Sequence, residues 1–441
     1  MKLRCSNVNY VAACVAVLCA LVLTACRTMD GGKAGADGHG AVASGHYRNL
    51  FAENGHSKKE VHRKIEAAFA QLFHGDPNSQ AVYFAAGANS NGPLAYITDI
   101  KHNDVRTEGL SYGMIIAVEL DKKAEFDALW NWSKTYLYHG DPAHPAYGFF
   151  SWQARTNGEV MSQFVAPDGE SYYVMALYFA ANRWGGGQGI FNYKEQADEL
   201  VSNMRHRAPI TGKLSMSRRG NMSLTVTAGP LMSEAHKMIL FSPSTERPQF
   251  SDPSYHLPAF YELWGRWGPA EDRSFWLEAA QTSRDFFSTV ANPVTGLVPD
   301  YANFDGTAVT NGWNQRTSNF GFDAFRTAGN WSVDWSWWAK APRERQLSDK
   351  LQAFFEGKGL ERYGCEFTLD GRQLQDRHAQ GLVAINAEAS LAATDSERAK
   401  KFVEALWDTP TPDGLERYYE GLLYMMSLLH CGGEFKIWSP P

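Results

Sequence analysis

The chain has 441 residues, of which 44% are hydrophobic, 13% aromatic and 20% charged, and its formal net charge is −6. That composition is globular and can fill a large core, which excludes a disordered or low-complexity chain. No basic block interrupts the acidic balance, so no nucleic-acid partner is expected.

The amino terminus reads as a targeting segment. Lys2 and Arg4 precede an apolar run from Val11 to Leu23, which is short for a membrane span and has the flanks of a signal peptide. Leu23-Thr24-Ala25-Cys26 resembles the lipobox of bacterial lipoproteins, in which the cysteine becomes the lipidated first residue. Residues 1–26 are then the signal, with Cys26 as the lipidation site. Arg27, in place of an aspartate, favours the outer membrane, facing the periplasm or the cell surface. Residues 27–45 are Gly/Ala-rich and carry no core pattern, as expected of a flexible tether. Cys365 and Cys431 are the cysteines left beyond Cys26; they could pair, but their spacing says nothing about geometry. No Cys/His cluster has metal-ligand spacing, and no cofactor is implied.

From residue 46 to 441 a period near 3.6 dominates. Helices are predicted to begin near Ser57, Thr107, Lys122, Glu170, Tyr193, Pro253, Glu271, Phe322, Arg343, Ala379, Ser396 and Glu416. Ser57 with Glu60 three residues on is a capping box. Thr107 reads as an N-cap, Gly109 lets another group approach the backbone, and Met114, Ile115 and Val118 supply an apolar face. Few segments alternate like strands. The exception is Lys213 to Thr227, a candidate hairpin or excursion loop. No Pro/Gly/Ser linker divides residues 46–441, which are read as one domain.

About twelve helices joined by short loops pack antiparallel, as six hairpins. Every second start then lies on one side of the domain. Those starts carry Glu108, Asp168, Asp252, Asp323, His378, and the pair Tyr418 and Tyr419. Acidic residues favour helix N-termini in any case, but tyrosine and histidine gain little from the helix dipole. The pattern points to a ring of six hairpins with a polar cleft on one face.

Arg106-Thr107-Glu108-Gly109-Leu110-Ser111-Tyr112-Gly113-Met114 resembles the general-acid motif of glycoside hydrolase family 8. Pro167-Asp168-Gly169-Glu170 with Tyr172 and Tyr173 is similar to that family's aspartate at the cleavage-site sugar. Phe322-Asp323-Ala324-Phe325-Arg326 resembles its general-base segment. The likeness runs from Tyr47 to Trp438 and is closest to the reducing-end xylose-releasing exo-oligoxylanases of the family. Ser251 to Pro258, Asp272-Arg273 with Phe275-Trp276, and Arg417-Tyr418-Tyr419 match that branch. The resemblance implies an all-α fold, an (α/α)6 barrel, and an inverting mechanism on β-1,4-xylo-oligosaccharides. It makes Glu108 the acid and Asp323 the base, with Asp168 beside them. Arg106, Tyr112, Trp152, Tyr255, Arg326, His378, Tyr418 and Tyr419 are the candidate substrate-binding residues. Membrane contact is expected through the lipid anchor alone.

Inversion needs one protonated carboxyl at the glycosidic oxygen and one carboxylate activating water on the opposite face, roughly 6.5–9.5 Å apart. A helix N-terminus favours the ionised form, so desolvation and the charge of Asp168 must outweigh the dipole if Glu108 is to hold a proton. Arg326 is expected to keep Asp323 ionised. The reverse assignment has physical merit; the resemblance argues against it. Trp152 matches a sugar-stacking position, whereas Trp130, Trp132, Trp184 and Trp331 to Trp338 fit the core better.

Two departures stand out. Asp376-Arg377-His378-Ala379-Gln380 lacks the leucine and proline that flank the corresponding histidine, which bears on whether the cleft is closed at that end. Residues 208–228, with Arg218 and Arg219, look like an insertion. An endo-acting xylanase, β-glucanase or chitosanase is the alternative reading. A non-catalytic glycan-binding lipoprotein would need aromatic platforms but not both Glu108 and Asp323.

Overall fold

A computed structural model describes residues 39–217, 221–245, 249–310 and 314–441. The signal, Cys26, Arg218 and Arg219 lie outside these residues. Twelve helices of nine or more residues order the described chain: α1 (Lys58–His74), α2 (Thr107–Glu119), α3 (Lys123–Tyr136), α4 (Pro167–Trp184), α5 (Tyr193–His206), α6 (Pro258–Trp267), α7 (Arg273–Val290), α8 (Phe322–Trp338), α9 (Pro342–Lys358), α10 (Gln380–Glu388), α11 (Ser396–Asp408) and α12 (Arg417–Cys431).

Their composition sorts them into two layers. The even-numbered helices are buried nearly all round, whereas the odd-numbered ones bury one stripe each. A helix apolar on every side belongs inside, and an amphipathic one covers it. The inner helices touch in ring order: α2 on α4, α4 on the turn leading into α6, α6 on α8, α8 on α10, α10 on α12, and α12 back on α2. Each outer helix packs on the inner helix before it, and α1 closes the last hairpin against α12. This is the expected (α/α)6 barrel of six hairpins.

Local chemistry explains most boundaries. Ser57 and Glu60 form the capping box of α1. Prolines open α4, α6 and α9, where the missing N–H costs nothing. Two starts differ from expectation. Asp252 caps only a 3-10 turn, Pro253–Tyr255, and α6 waits for Pro258, because Leu257 before it is held out of the helical region. Thr107 is not the cap of α2 either. It is the first helical residue, its N–H donates to the Trp152 carbonyl at 3.0 Å, and its hydroxyl is buried against Gly169.

A seven-stranded antiparallel sheet was not foreseen. It runs in chain order through β1 (Tyr83–Asn89), β2 (Gly92–Asp99), β3 (Asp104–Arg106), β4 (Gln153–Ala154), β5 (Val160–Ser162), β6 (Ile210–Met216) and β7 (Met222–Ala228). Several strands are two or three residues long, too short for alternation to show. The segment suspected as an insertion is the β6–β7 hairpin, joined to the rest by the Ser162–Met216 pair.

Within residues 39–45, expected in the tether, Gly40 and Ala41 are buried while 39 and 42–45 are exposed. Ala41–Ser44 forms one helical turn with Ala41 buried. A Cβ on Gly40 would lie 2.3 Å from the Trp337 carbonyl oxygen. Small residues chosen for close approach look like linker in composition. Cys365 and Cys431 are both buried and unpaired.

Candidate active site

The inner helices begin on one face, and the starts of α2, α4 and α8 and the turn before α6 meet at Arg326. Its Nη1 donates to Glu108 Oε2 at 3.0 Å, to Asp168 Oδ2 at 2.8 Å and to the Tyr112 hydroxyl oxygen at 3.0 Å. Its Nη2 donates to Asp323 Oδ1 at 3.1 Å and lies 3.8 Å from Asp252 Oδ2. One guanidinium thus links the starts of α2, α4 and α8 and the turn before α6. The expectation paired Arg326 with Asp323 alone; it reaches the acid candidate as well. Two hydrogen bonds and one guanidinium width keep Glu108 and Asp323 within the upper limit of the roughly 6.5–9.5 Å that leaves room for a water.

Charge in this cluster is out of balance, because Asp252 and Asp300 add two buried carboxyls. Burial pushes Glu108 up to about 7; Arg326 opposes the rise and Asp168 adds to it. Desolvation is the largest contribution, and Asp168 and Asp323 add to it against Arg326 and Arg106. Asp323 is also raised, by burial first and with Asp168 adding, but Arg326 and a hydrogen bond from Tyr301 restrain it. Asp252 and Asp300 are held well above the carboxylate range by burial and by the charge of Asp323. The Glu108 side chain is 16% exposed and that of Asp323 37%, so the drier group is the better proton holder and the wetter one ionises more readily.

Other candidates surround this pair. The Tyr418 hydroxyl donates to Glu108 Oε1 at 3.0 Å. Tyr419, in the same first turn of α12, donates to the Phe322 carbonyl at 2.6 Å, next to Asp323. The Tyr255 ring lies 5.7 Å from the Arg326 guanidinium carbon. Arg106 stands 5.8 Å from the ring centres of both Trp152 and Tyr418, held by Asp104 at 2.9 Å and Asp99 at 2.8 Å. The sheet positions it: β3 pairs Arg106 with Gln153 and then runs directly into α2.

His378 stands apart. Its Nδ1 donates to the Tyr363 carbonyl at 2.9 Å, which leaves Nε2 as an acceptor, and among the described residues no hydrogen bond joins it to the Arg326 cluster. Arg377 beside it pairs with the buried Glu420 and lies 5.4 Å from the Phe322 ring. Trp130, Trp132, Trp331 and Trp337 are core residues, as read.

Sequence reasoning missed Asp300 and Tyr301. Asp300 Oδ1 accepts from the N–H groups of Gly321 (3.1 Å) and Ala324 (3.0 Å), capping α8 from a distant loop and so fixing Asp323. No local pattern marks such a cap. Asp99 and Asp104 were missed with the sheet, although Asp104-Val105-Arg106 places acid and base two apart, as a strand pair would.

A carboxyl that keeps its proton near neutrality, a more solvated carboxylate across from it and flanking aromatic faces suit acid–base hydrolysis of a glycoside. Comparison with known proteins agrees. Residues 88–433 match the model for glycosyl hydrolases family 8, and the chain belongs to that family. The reducing-end xylose-releasing exo-oligoxylanase Rex8A of Paenibacillus barcinonensis is 38% identical over 403 residues, 91% of this chain and 99% of that protein. A reducing end xylose-releasing exo-oligoxylanase of Halalkalibacterium halodurans is 38% identical over 404 residues, 91% of this chain and 97% of its own. The crystal structure of a family 8 xylanase from Teredinibacter turnerae, a catalytic mutant in complex with xylohexaose, superposes with a TM-score of 0.87 at 51% identity, covering 91% of this chain and all of that one.

Proposed function

We propose that the protein is an inverting hydrolase of β-1,4-xylo-oligosaccharides that frees xylose from their reducing ends. Glu108 is the general acid, Asp323 the general base, and Asp168 lies at the sugar whose bond breaks. The observation that carries this reading is the Arg326 guanidinium, which spans Glu108, Asp168 and Asp323.

The proton on Glu108 passes to the glycosidic oxygen as its bond to the anomeric carbon breaks. A water on the opposite face forms the new bond and gives its proton to Asp323. The carboxylate left on Glu108 then faces Arg326 Nη1 and the Tyr418 hydroxyl, already in place to receive the charge. The difference in exposure between the two carboxyls supports this assignment over its reverse. Trp152 and Tyr419 keep open ring surface for the sugars, Arg106 completes the wall, the buried Tyr112, Tyr255 and Tyr418 back it, and Nε2 of His378 can accept from a terminal hydroxyl.

Two relatives named for reducing-end xylose release support the chain-end preference. An endo-acting xylanase is the second reading. It is favoured by Arg377 in the His378 loop and by the 51% identity to a xylanase that was crystallised with xylohexaose. The amino-terminal pattern supports export and lipid attachment at Cys26 to the outer membrane, with residues 46–441 as one catalytic domain.

Xylotetraose carrying ¹⁸O at its reducing end separates the readings. Label emerging first in free xylose supports the exo enzyme. Labelled xylobiose in excess, or internal cutting of xylan at a comparable rate, leaves the endo one. Cellotetraose or chitotetraose turned over in preference would replace the substrate class altogether.

A further inference from the structure

Below the carboxylate cluster the inner helices enclose a small cavity of about 30 Å³. It runs from Arg326 and Tyr172 down to His430 and Phe435. Arg326, Gly329, Asn330 and Val333 follow one another along one face of α8 and form its wall. Opposite them is Glu388, the last residue of α10, a buried carboxyl that the proposed reaction does not use.

Two polar groups in this cavity are only half satisfied by protein. Both Nη atoms of Arg326 are engaged above, but its buried Nε–H has no protein acceptor. Glu388 Oε2 accepts from the Ser427 hydroxyl at 2.6 Å, while Oε1 faces Gly329, where a Cβ would come within 2.9 Å of it. The absent side chain keeps the gap between carboxyl and arginine open. Tyr172 stands close to both, since burial first, and then the charge of Glu388, hold its phenol up. The rest of the lining is mainly apolar, so Arg326, Tyr172, Glu388 and Asn330 are the polar groups about which ordered water would be retained.

We propose that Glu388 is a positioning residue for Arg326: water in the axial cavity carries a hydrogen-bond path from Arg326 Nε, past the Tyr172 hydroxyl, to the Glu388 carboxyl. The path holds the guanidinium turned so that both Nη groups serve Glu108, Asp168 and Asp323. This rests on the reading of that cluster as the active site. The titratable groups facing Glu388 are Arg326 on α8, Tyr172 on α4, and His430 and Cys431 on α12. Burial keeps His430 neutral, with its pKa down at about 3, and keeps Cys431 a thiol. Burial, opposed by the Ser427 hydrogen bond, sets Glu388 at about 7, so near neutrality it is charged in only part of the molecules.

Glu388→Gln conserves volume and the acceptor for Ser427 but removes that charge. With the path disturbed the guanidinium turns, and Glu108 loses part of the opposing charge of Arg326, which favours its protonated form. On xylotetraose, kcat is expected to fall by up to about 10²-fold with KM little changed, as for a small misplacement of catalytic groups. The alkaline limb of kcat/KM moves to higher pH. Tyr172→Phe lowers kcat as well, without loss of fold by thermal unfolding. Wild-type kcat together with an unmoved alkaline limb in Glu388→Gln overturns the proposal and makes Glu388 a core residue. Should Glu388→Gln fail to fold, Gly329→Ala fills the same gap, and unchanged kcat and pH profile in that variant refute the path. Wild-type protein is assayed first on all three tetrasaccharides. Silence there would remove the active-site reading itself, a failure distinct from an active wild type with indifferent variants.

Discussion

Tyr418 reaches Glu108 through the space that Gly109 leaves: a Cβ at position 109 would lie 2.4 Å from the Tyr418 ring, whose hydroxyl donates to Glu108 Oε1 at 3.0 Å. Close approach at Gly109 was legible in the sequence; the group that approaches comes from the far end of the chain. Gly109→Ala should therefore displace Tyr418 and tilt Glu108, costing about 10²-fold in kcat and about 1–3 kcal/mol of stability by overpacking. Tyr418→Phe, which keeps the ring and loses the hydrogen bond, should cost less on both counts. Steady-state kinetics and thermal unfolding of the two variants check the order.

Glu108→Gln removes the proton donor and Asp323→Asn the base, each without change of shape. Each should lose at least about 10²–10⁴-fold in turnover of oligosaccharides. Rates on a substrate with a good leaving group should recover in Glu108→Gln only, since departure then needs no proton. Proton NMR of the wild-type reaction should show the α-anomer appearing first at the new reducing end.

Activity should follow a bell against pH. Glu108, raised to about 7, must be protonated, so kcat/KM falls as pH rises through that region. Asp323 must be ionised, and because it too is raised, the acid limb should lie above the range of an ordinary aspartate. Loss of the alkaline limb in Glu108→Gln, assayed on the activated substrate, would assign that limb to Glu108.

Asp300 holds the first turn of α8 through two backbone N–H groups. Asp300→Ala should cost about 0.5–2 kcal/mol, as lost helix caps do, and should lower kcat because Asp323 sits on that turn. Asp300→Asn keeps an acceptor oxygen and should be nearly silent in denaturant unfolding.

Glu119 is pushed up to about 8 by burial, against hydrogen bonds from the Lys436 N–H and the Trp438 indole at 3.0 Å each. A carboxyl whose folded pKa is raised binds its proton more tightly in the native state, so its contribution is full below the unfolded pKa and fades as pH rises through about 8. Glu119→Gln should abolish that loss. The difference in Tm between variant and wild type is expected to grow in the variant's favour from pH 5 to pH 8.

The ring was legible because about twelve helices joined by short loops pack as antiparallel hairpins, and the structure adds that alternate helices differ in kind. Segments such as Gly113-Met114-Ile115-Ile116-Ala117-Val118 are apolar all round, whereas Lys58 to His74 carries one stripe. The shared face was legible from tyrosine and histidine at helix starts, where the dipole does not explain them. The sheet was not, because its pairing is long-range: Val105 meets Ala154, and neither short strand alternates enough to announce itself. Arg326 showed its neighbour Asp323 three residues away, but its bond to Glu108 spans 218 residues and depends on ring closure. Glu388 and Asp300 gave no sign, since a buried acid among apolar neighbours reads as an ordinary helix or loop residue.

The single turn Ala41–Ser44 marks the end of the barrel at which the described chain enters. Gly40 abuts Trp337 and Trp338 at one end of α8, while Asp323 occupies the other end of that 17-residue helix, roughly 22 Å away at about 1.5 Å per residue. His39 and Gly40, where the described chain begins, therefore lie at the pole opposite the cleft. A tether joined at that end, as the proposed lipid attachment would supply, would leave the cleft on the far side. A glycan would then meet the open cleft without first passing the surface behind it.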